Sequence, residues 1–76
     1  MMTLVNFYEV CDKEGNAVWG GVSTLQAVEW LAREADYRLY VSVWNEEDPE
    51  EPYLITDKIN ITDVVLATRL NERDSK

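Results

Sequence analysis

Tyr37-Arg38-Leu39-Tyr40-Val41-Ser42-Val43-Trp44 alternates without a break, and the fold turns on it. Leu39, Val41 and Val43 fall on one side of an extended chain, with Arg38, Tyr40, Ser42 and Trp44 on the other. That period of two marks a strand with one face toward a core. On its C-terminal side, residues 45–52 concentrate Glu46, Glu47, Asp48, Glu50 and Glu51 around Pro49 and end at Pro52, a polar turn region. Tyr53-Leu54-Ile55-Thr56 can then return antiparallel, which makes a hairpin.

On its N-terminal side, Ser23 with Gln26 three residues later matches a capping box, and the spacing predicts a helix running to about Asp36. On a helical wheel Leu25, Val28, Leu31, Ala32 and Ala35 share a side and are expected to be its buried face, while Trp30 points elsewhere. Before it, residues 3–11 are rich in β-branched and aromatic side chains. Asp12 to Asn16 supplies a glycine-containing turn, and Ala17-Val18-Trp19 resumes apolar character up to Gly20 and Gly21. These residues read as a first hairpin, with the glycine pair permitting the bend into the helix.

Toward the C-terminus, Asn60-Ile61-Thr62 has the form of a glycosylation sequon but reads as a helix start, with Asn60 as the cap and Ile61, Val64, Val65 and Thr68 on one side. Residues 70–76 are expected to be a fraying polar tail. The whole is read as one α+β domain over residues 1–76. Its order is ββαββα: a four-stranded antiparallel sheet with two helices packed on one face, and hairpin, cap and helix recurring at an offset of 37.

Composition narrows the chemistry. The 76 residues carry 7 Lys plus Arg against 15 Asp plus Glu, so the net charge is 7 − 15 = −8, which disfavours a grip on nucleic-acid phosphates. Hydrophobic residues at 46%, with three Trp and four Tyr, are too much apolar surface for a disordered chain. There is no histidine, which removes the usual neutral-pH base, the commonest transition-metal ligand and every Ser-His or Cys-His pair. The single Cys11 can form no internal disulfide and is read as a small semi-buried hydrophobe. No apolar run approaches the ~20 residues of a membrane span, and the N-terminus lacks signal-peptide character, so a cytoplasmic location is expected with no membrane partner.

No catalytic residue, cofactor or metal is expected. The acids of residues 46–51 lack the alternate oxygen ligands, bend glycine and flanking helices of a calcium loop. Gly20 and Gly21 lack the lysine and spacing of a phosphate-binding loop. What the sequence does offer is large rings on a sheet face that two one-sided helices would leave bare. Tyr40 and Trp44 emerge there, and Leu4, Tyr8 and Val10 lie against Val5, Phe7 and Cys11 on opposite parities of the first strand.

The expected function is therefore a non-enzymatic protein–protein interaction module that dimerises or binds a partner through an aromatic sheet face. Trp30 is a second anchor, and Glu46, Glu47, Asp48, Glu50 and Glu51 form an acidic surround. The alternative is an acidic inhibitor, such as an immunity protein, antitoxin or phage-encoded modulator. Such a protein would use those five carboxylates to block a basic nucleic-acid-binding protein.

Overall fold

A computed structural model describes residues 2–74 of the chain, with side-chain surroundings for residues 2–68. The elements run β1 (Leu4–Cys11), β2 (Ala17–Gly21), α1 (Thr24–Leu31), β3 (Arg38–Asn45), β4 (Tyr53–Asn60) and α2 (Thr62–Asp74). This is an α+β fold in the order ββαββα, with one antiparallel sheet ordered β2-β1-β3-β4. Because β1 is antiparallel to both of its neighbours, β2 and β3 run parallel on either side of it. The α1 crossover passes above β1. Among the described residues no helix is long and apolar enough to cross a membrane.

The first hairpin closes as its residues suggest. Asp12 Oδ1 accepts the N–H groups of Glu14 and Asn16, each at 2.9 Å, and the backbones of Asp12 and Gly15 bond at 3.0 Å. Gly15 adopts a φ of +87°, a left-handed conformation that side chains resist. The glycine pair of β2 has a different role from the expected bend. Neither has a positive φ. A Cβ on Gly20 would stand 3.1 Å from the Phe7 ring, and one on Gly21 would stand 2.8 Å from the Trp19 ring. Each glycine makes room for a ring, on opposite faces of the sheet.

Directly paired residues share a face, so the β1–β3 register assigns both sides. Val10 with Leu39, Tyr8 with Val41 and Asn6 with Val43 lie beneath the helices; Phe7 with Ser42, Val5 with Trp44 and Glu9 with Tyr40 lie on the other side. The core is Val10, Leu39, Ala27 and Leu31, with Tyr8, Val18, Trp19, Trp30, Tyr37, Ile61 and Val65 packed around it. Both helices contribute to it, so both cover the same face.

α1 departs from expectation in length and orientation. It stops at Leu31, with Ala32 as the C-cap, rather than continuing to Asp36. Eight residues rise ~12 Å, somewhat less than the ~16 Å of the five-residue β2 it must retrace, and residues 32–37 cover the remaining way to the start of β3. Its buried stripe is Ala27 and Leu31 with Trp30 half-buried beside them, whereas Leu25 is 69% exposed and Ala32 is open to solvent. The small Ala27 lets the helix axis approach the sheet, and Trp30 then shields the core from the side. Ile61, just before α2, and Val65 within it face inward, but Val64 is 67% exposed and Thr68 is also exposed. Of residues 70–76, expected to fray, residues 70–74 belong to α2 and residues 75–76 lie outside the described residues.

The two helix starts are not copies. Ser23 Oγ accepts the Gln26 N–H at 3.2 Å, as a capping box requires. Asn60 Oδ1 accepts the Thr62 N–H at 3.0 Å and the Thr62 hydroxyl at 2.7 Å. Asn60 therefore ends β4 and caps two residues ahead, and the helices begin 38 residues apart rather than 37.

Candidate functional site

The helix-free face of the sheet carries Val5, Phe7 and Glu9 from β1, Tyr40, Ser42 and Trp44 from β3, and Leu54, which pairs with Trp44, from β4. Val5, Phe7, Tyr40 and Trp44 are each half-buried without any helix above them. They shelter one another. Trp44 donates its indole N–H to Ser42 Oγ at 3.1 Å, which lays the ring along the strand and leaves Ser42 buried on a face otherwise open to water. Phe7 stands across from Ser42 and lies over Gly20.

Where these rings reach the end of the sheet, Val5, Phe7, Trp44, Glu46 and Pro52 line a hollow of about 200 Å3. Four of the lining residues are apolar and the fifth, Glu46, belongs to the acidic loop. Trp44 and Glu46, singled out in sequence for separate reasons, thus meet in one site. Val5, Phe7 and Pro52 were not candidates, because joining them to Trp44 requires the β1–β3 register.

The acidic loop is held in place by its own side chains. Asn45, only 1% exposed, accepts the Glu47 N–H on Oδ1 at 2.8 Å and donates from Nδ2 to the Tyr53 hydroxyl at 2.9 Å, tying together the two ends of the loop. Glu46 N–H donates to the Thr3 carbonyl at 2.8 Å. Asp48 Oδ1 accepts the Glu50 N–H at 3.0 Å, so that carboxylate already has a structural partner. Glu46, Glu47, Asp48, Glu50 and Glu51 are all exposed, and no group of three or more His, Cys, Asp or Glu among the described residues is placed to hold a metal ion.

At the opposite end of this face Lys58 bridges to Glu9 across β3. The same Glu9 Oε1 accepts the Cys11 thiol at 3.6 Å. The thiol pKa is raised, first by burial and then by the neighbouring Glu9 carboxylate, which makes Cys11 a poor nucleophile. The ion pair with Glu9 holds the Lys58 ammonium above its usual range.

Trp30 is not part of this surface. It packs on the core from the helix side, with the Arg33 guanidinium 3.8 Å from its ring centroid. On that side Leu25, Val28 and Ala32 of α1 and Val64, Val65 and Thr68 of α2 border an open cleft of about 800 Å3. It is broad and shallow because the two helices meet the sheet without packing closely on each other. Comparison with family models, curated proteins and solved structures returns no match to this chain.

Proposed function

We propose that this chain is a non-enzymatic protein–protein interaction module that engages its partner through the helix-free face, centred on Phe7, Tyr40 and Trp44. The observation behind this reading is the hollow in which Trp44, Phe7 and Val5 meet Glu46 and Pro52. Concave apolar sites with a few placed polar groups are what binding surfaces use, and tryptophan is enriched among residues that dominate binding energy. A binding role fits a hollow lined by four apolar residues and a single acidic one. A cytoplasmic setting fits the buried free thiol.

The test compares the proteins retained from a lysate of the source cell by the wild type and by Trp44→Ser, with circular dichroism establishing that the variant is folded. Partners held by the wild type and lost by the variant support the reading. Partners held equally by both, but lost by Leu25→Ser in the helix cleft, would move the surface to the other side of the molecule. Sedimentation equilibrium from micromolar to millimolar concentration establishes whether a second copy is one such partner.

The second reading, an acidic inhibitor of a basic nucleic-acid-binding protein, is favoured by one feature: Glu46 belongs to both the hollow and the acidic loop. Binding driven by those carboxylates should weaken steeply with salt, because mobile ions screen exposed charges within about 8 Å at physiological ionic strength.

A further inference from the structure

Leu25 and Val64 are the two most exposed large apolar side chains among the described residues, and both border the same cleft on the helix side of the sheet. Val28 and Ala32 of α1 and Val65 and Thr68 of α2 line the rest of its about 800 Å3, and Glu29 is the one charged residue among its lining. Protruding side chains and a hollow thus share one surface. That is the condition for a self-complementary contact about a two-fold axis.

The size of the exposed surface fits such a contact. The molecule presents 5640 Å2 of accessible area, where a compact monomer of its mass presents about 4,800 Å2. The surplus is about 800 Å2, the share that one subunit contributes to a standard interface. Among the described residues the buried apolar side chains are only Val10, Cys11, Ala27, Leu31 and Leu39. Chains below about 80 residues with so small a core and no disulfide commonly gain stability by association.

The other exposed apolar run, Tyr53, Leu54, Ile55 and Ile59, lies on the edge strand β4. There the pairing with β3 shifts twice, and Asp57 and Lys58 interrupt the run. Bulges and charges of this kind keep edge strands from adding to one another. The cleft carries no comparable guard.

Two chains of charge −8 repel in general, but the densest acids lie away from the cleft. The acidic loop leaves β3 at Asn45, whereas α2 is anchored at Leu39, ~20 Å back along the strand. Salt screens exposed charges over about 8 Å.

We propose that the cleft between α1 and α2 is the interface of a symmetric homodimer, in which Leu25 and Val64 of each subunit enter the cleft of the other. The four helices then lie between two sheets, and both helix-free faces point outward. This interface is independent of the surface proposed for other partners and leaves it open on both subunits.

The test is sedimentation equilibrium of the full chain from micromolar to millimolar concentration, at physiological and at raised ionic strength. The average mass should rise toward that of two chains and level there, and salt should strengthen the association by screening the like charges. Leu25→Glu and Val64→Glu place an acid in a first helical turn, where the helix dipole accommodates it. Each should weaken the dimer about 30-fold or more, the loss expected of a residue at an interface centre. At micromolar concentration, where the subunits are apart, their circular dichroism should match that of the wild type. Trp44→Ser should associate as the wild type does. In methyl spectra Leu25, Val28, Val64 and Val65 should shift with concentration while Val5 stays in place.

A chain that remains monomeric at millimolar concentration and raised salt would overturn the proposal. A dimer left intact by both glutamate variants would overturn it as well, and dissociation by Trp44→Ser would then put the contact on the helix-free face. Growth past two chains would replace the closed two-fold contact by an open one.

Discussion

The Thr62 hydroxyl accepts the backbone N–H of Leu39 at 2.8 Å, joining the first residue of α2 to the middle of the core across 23 positions of sequence. Thr62 is 2% exposed, and the neighbouring Ile61 N–H donates to the Leu39 carbonyl at 2.9 Å. Both backbone groups of Leu39 are thus satisfied by the start of the last helix. Thr62→Val keeps the shape but strands a buried N–H, and should cost about 1–3 kcal/mol. Thr62→Ser keeps the oxygen and should cost about 1 kcal/mol or less. Urea midpoints of the two variants check the difference, and equal losses would mean that the methyl group, not the hydroxyl, matters.

The two apolar surfaces of α1 should respond oppositely to substitution. Leu31→Ala empties a place in the core and should lose about 2–5 kcal/mol, a large share of the stability of so small a domain. Leu25→Ala, on the open cleft, should change stability by less than about 0.5 kcal/mol. Thermal melts of both variants would expose a mistaken choice of buried stripe, because a helix packed through Leu25 would reverse the order.

The Lys58–Glu9 pair gives stability a dependence on alkaline pH. The folded lysine holds its proton more tightly than the unfolded one, so its contribution is complete below the ordinary lysine value of about 10.4 and is lost as pH rises through the higher folded value. The stability difference between wild type and Lys58→Met should be steady near neutrality and shrink above about pH 10.4. Taking the difference cancels the titration of the tyrosines. A difference that grew with pH would contradict the pairing.

Cys11 should react slowly. It is 5% exposed, and its thiol is held protonated by burial and by Glu9. At pH 8 the folded protein should release thionitrobenzoate from a disulfide reagent at least ~10-fold more slowly than the urea-unfolded chain. Glu9→Gln should narrow the gap, because it removes the nearest negative charge that opposes the thiolate.

Much of the architecture could be read from local pattern. The alternation of residues 37–44, the polar turn at Asp12–Asn16 and the acidic loop before Tyr53 place both hairpins, and the sides of Tyr40 and Trp44 follow from parity alone. β4 could be read only as far as Thr56, although it extends to Asn60, because its period is broken. Between Val41 and Val43 the partner moves from Ile59 to Thr56, and between Val43 and Trp44 it moves from Thr56 to Leu54, so each step carries one residue too many. Asp57 and Lys58 further disguise the strand, yet Lys58 reaches across the face to Glu9.

The stripe of α1 was ambiguous for a different reason. Leu25, Ala27, Val28, Trp30, Leu31 and Ala32 surround most of a two-turn helix, and only contact with Val10 and Leu39 selects among them. The hollow could not be read at all from one segment. Its walls come from β1, β3 and the two ends of the acidic loop, and neither Val5 nor Pro52 carries a chemical signal of its own.

Asn45 separates the chemistry of the acidic loop's surface from the folding of the loop. Its side chain anchors both the entry to the acidic loop and Tyr53 beyond it, so the exposed carboxylates stand on a frame that does not depend on most of them. Glu46, Glu50 and Glu51 can change identity without unseating the sheet, because the shape of the loop is set by Asn45 and not by them. Under the proposed binding role, the choice of partner would drift by single surface substitutions while the fold stays as it is.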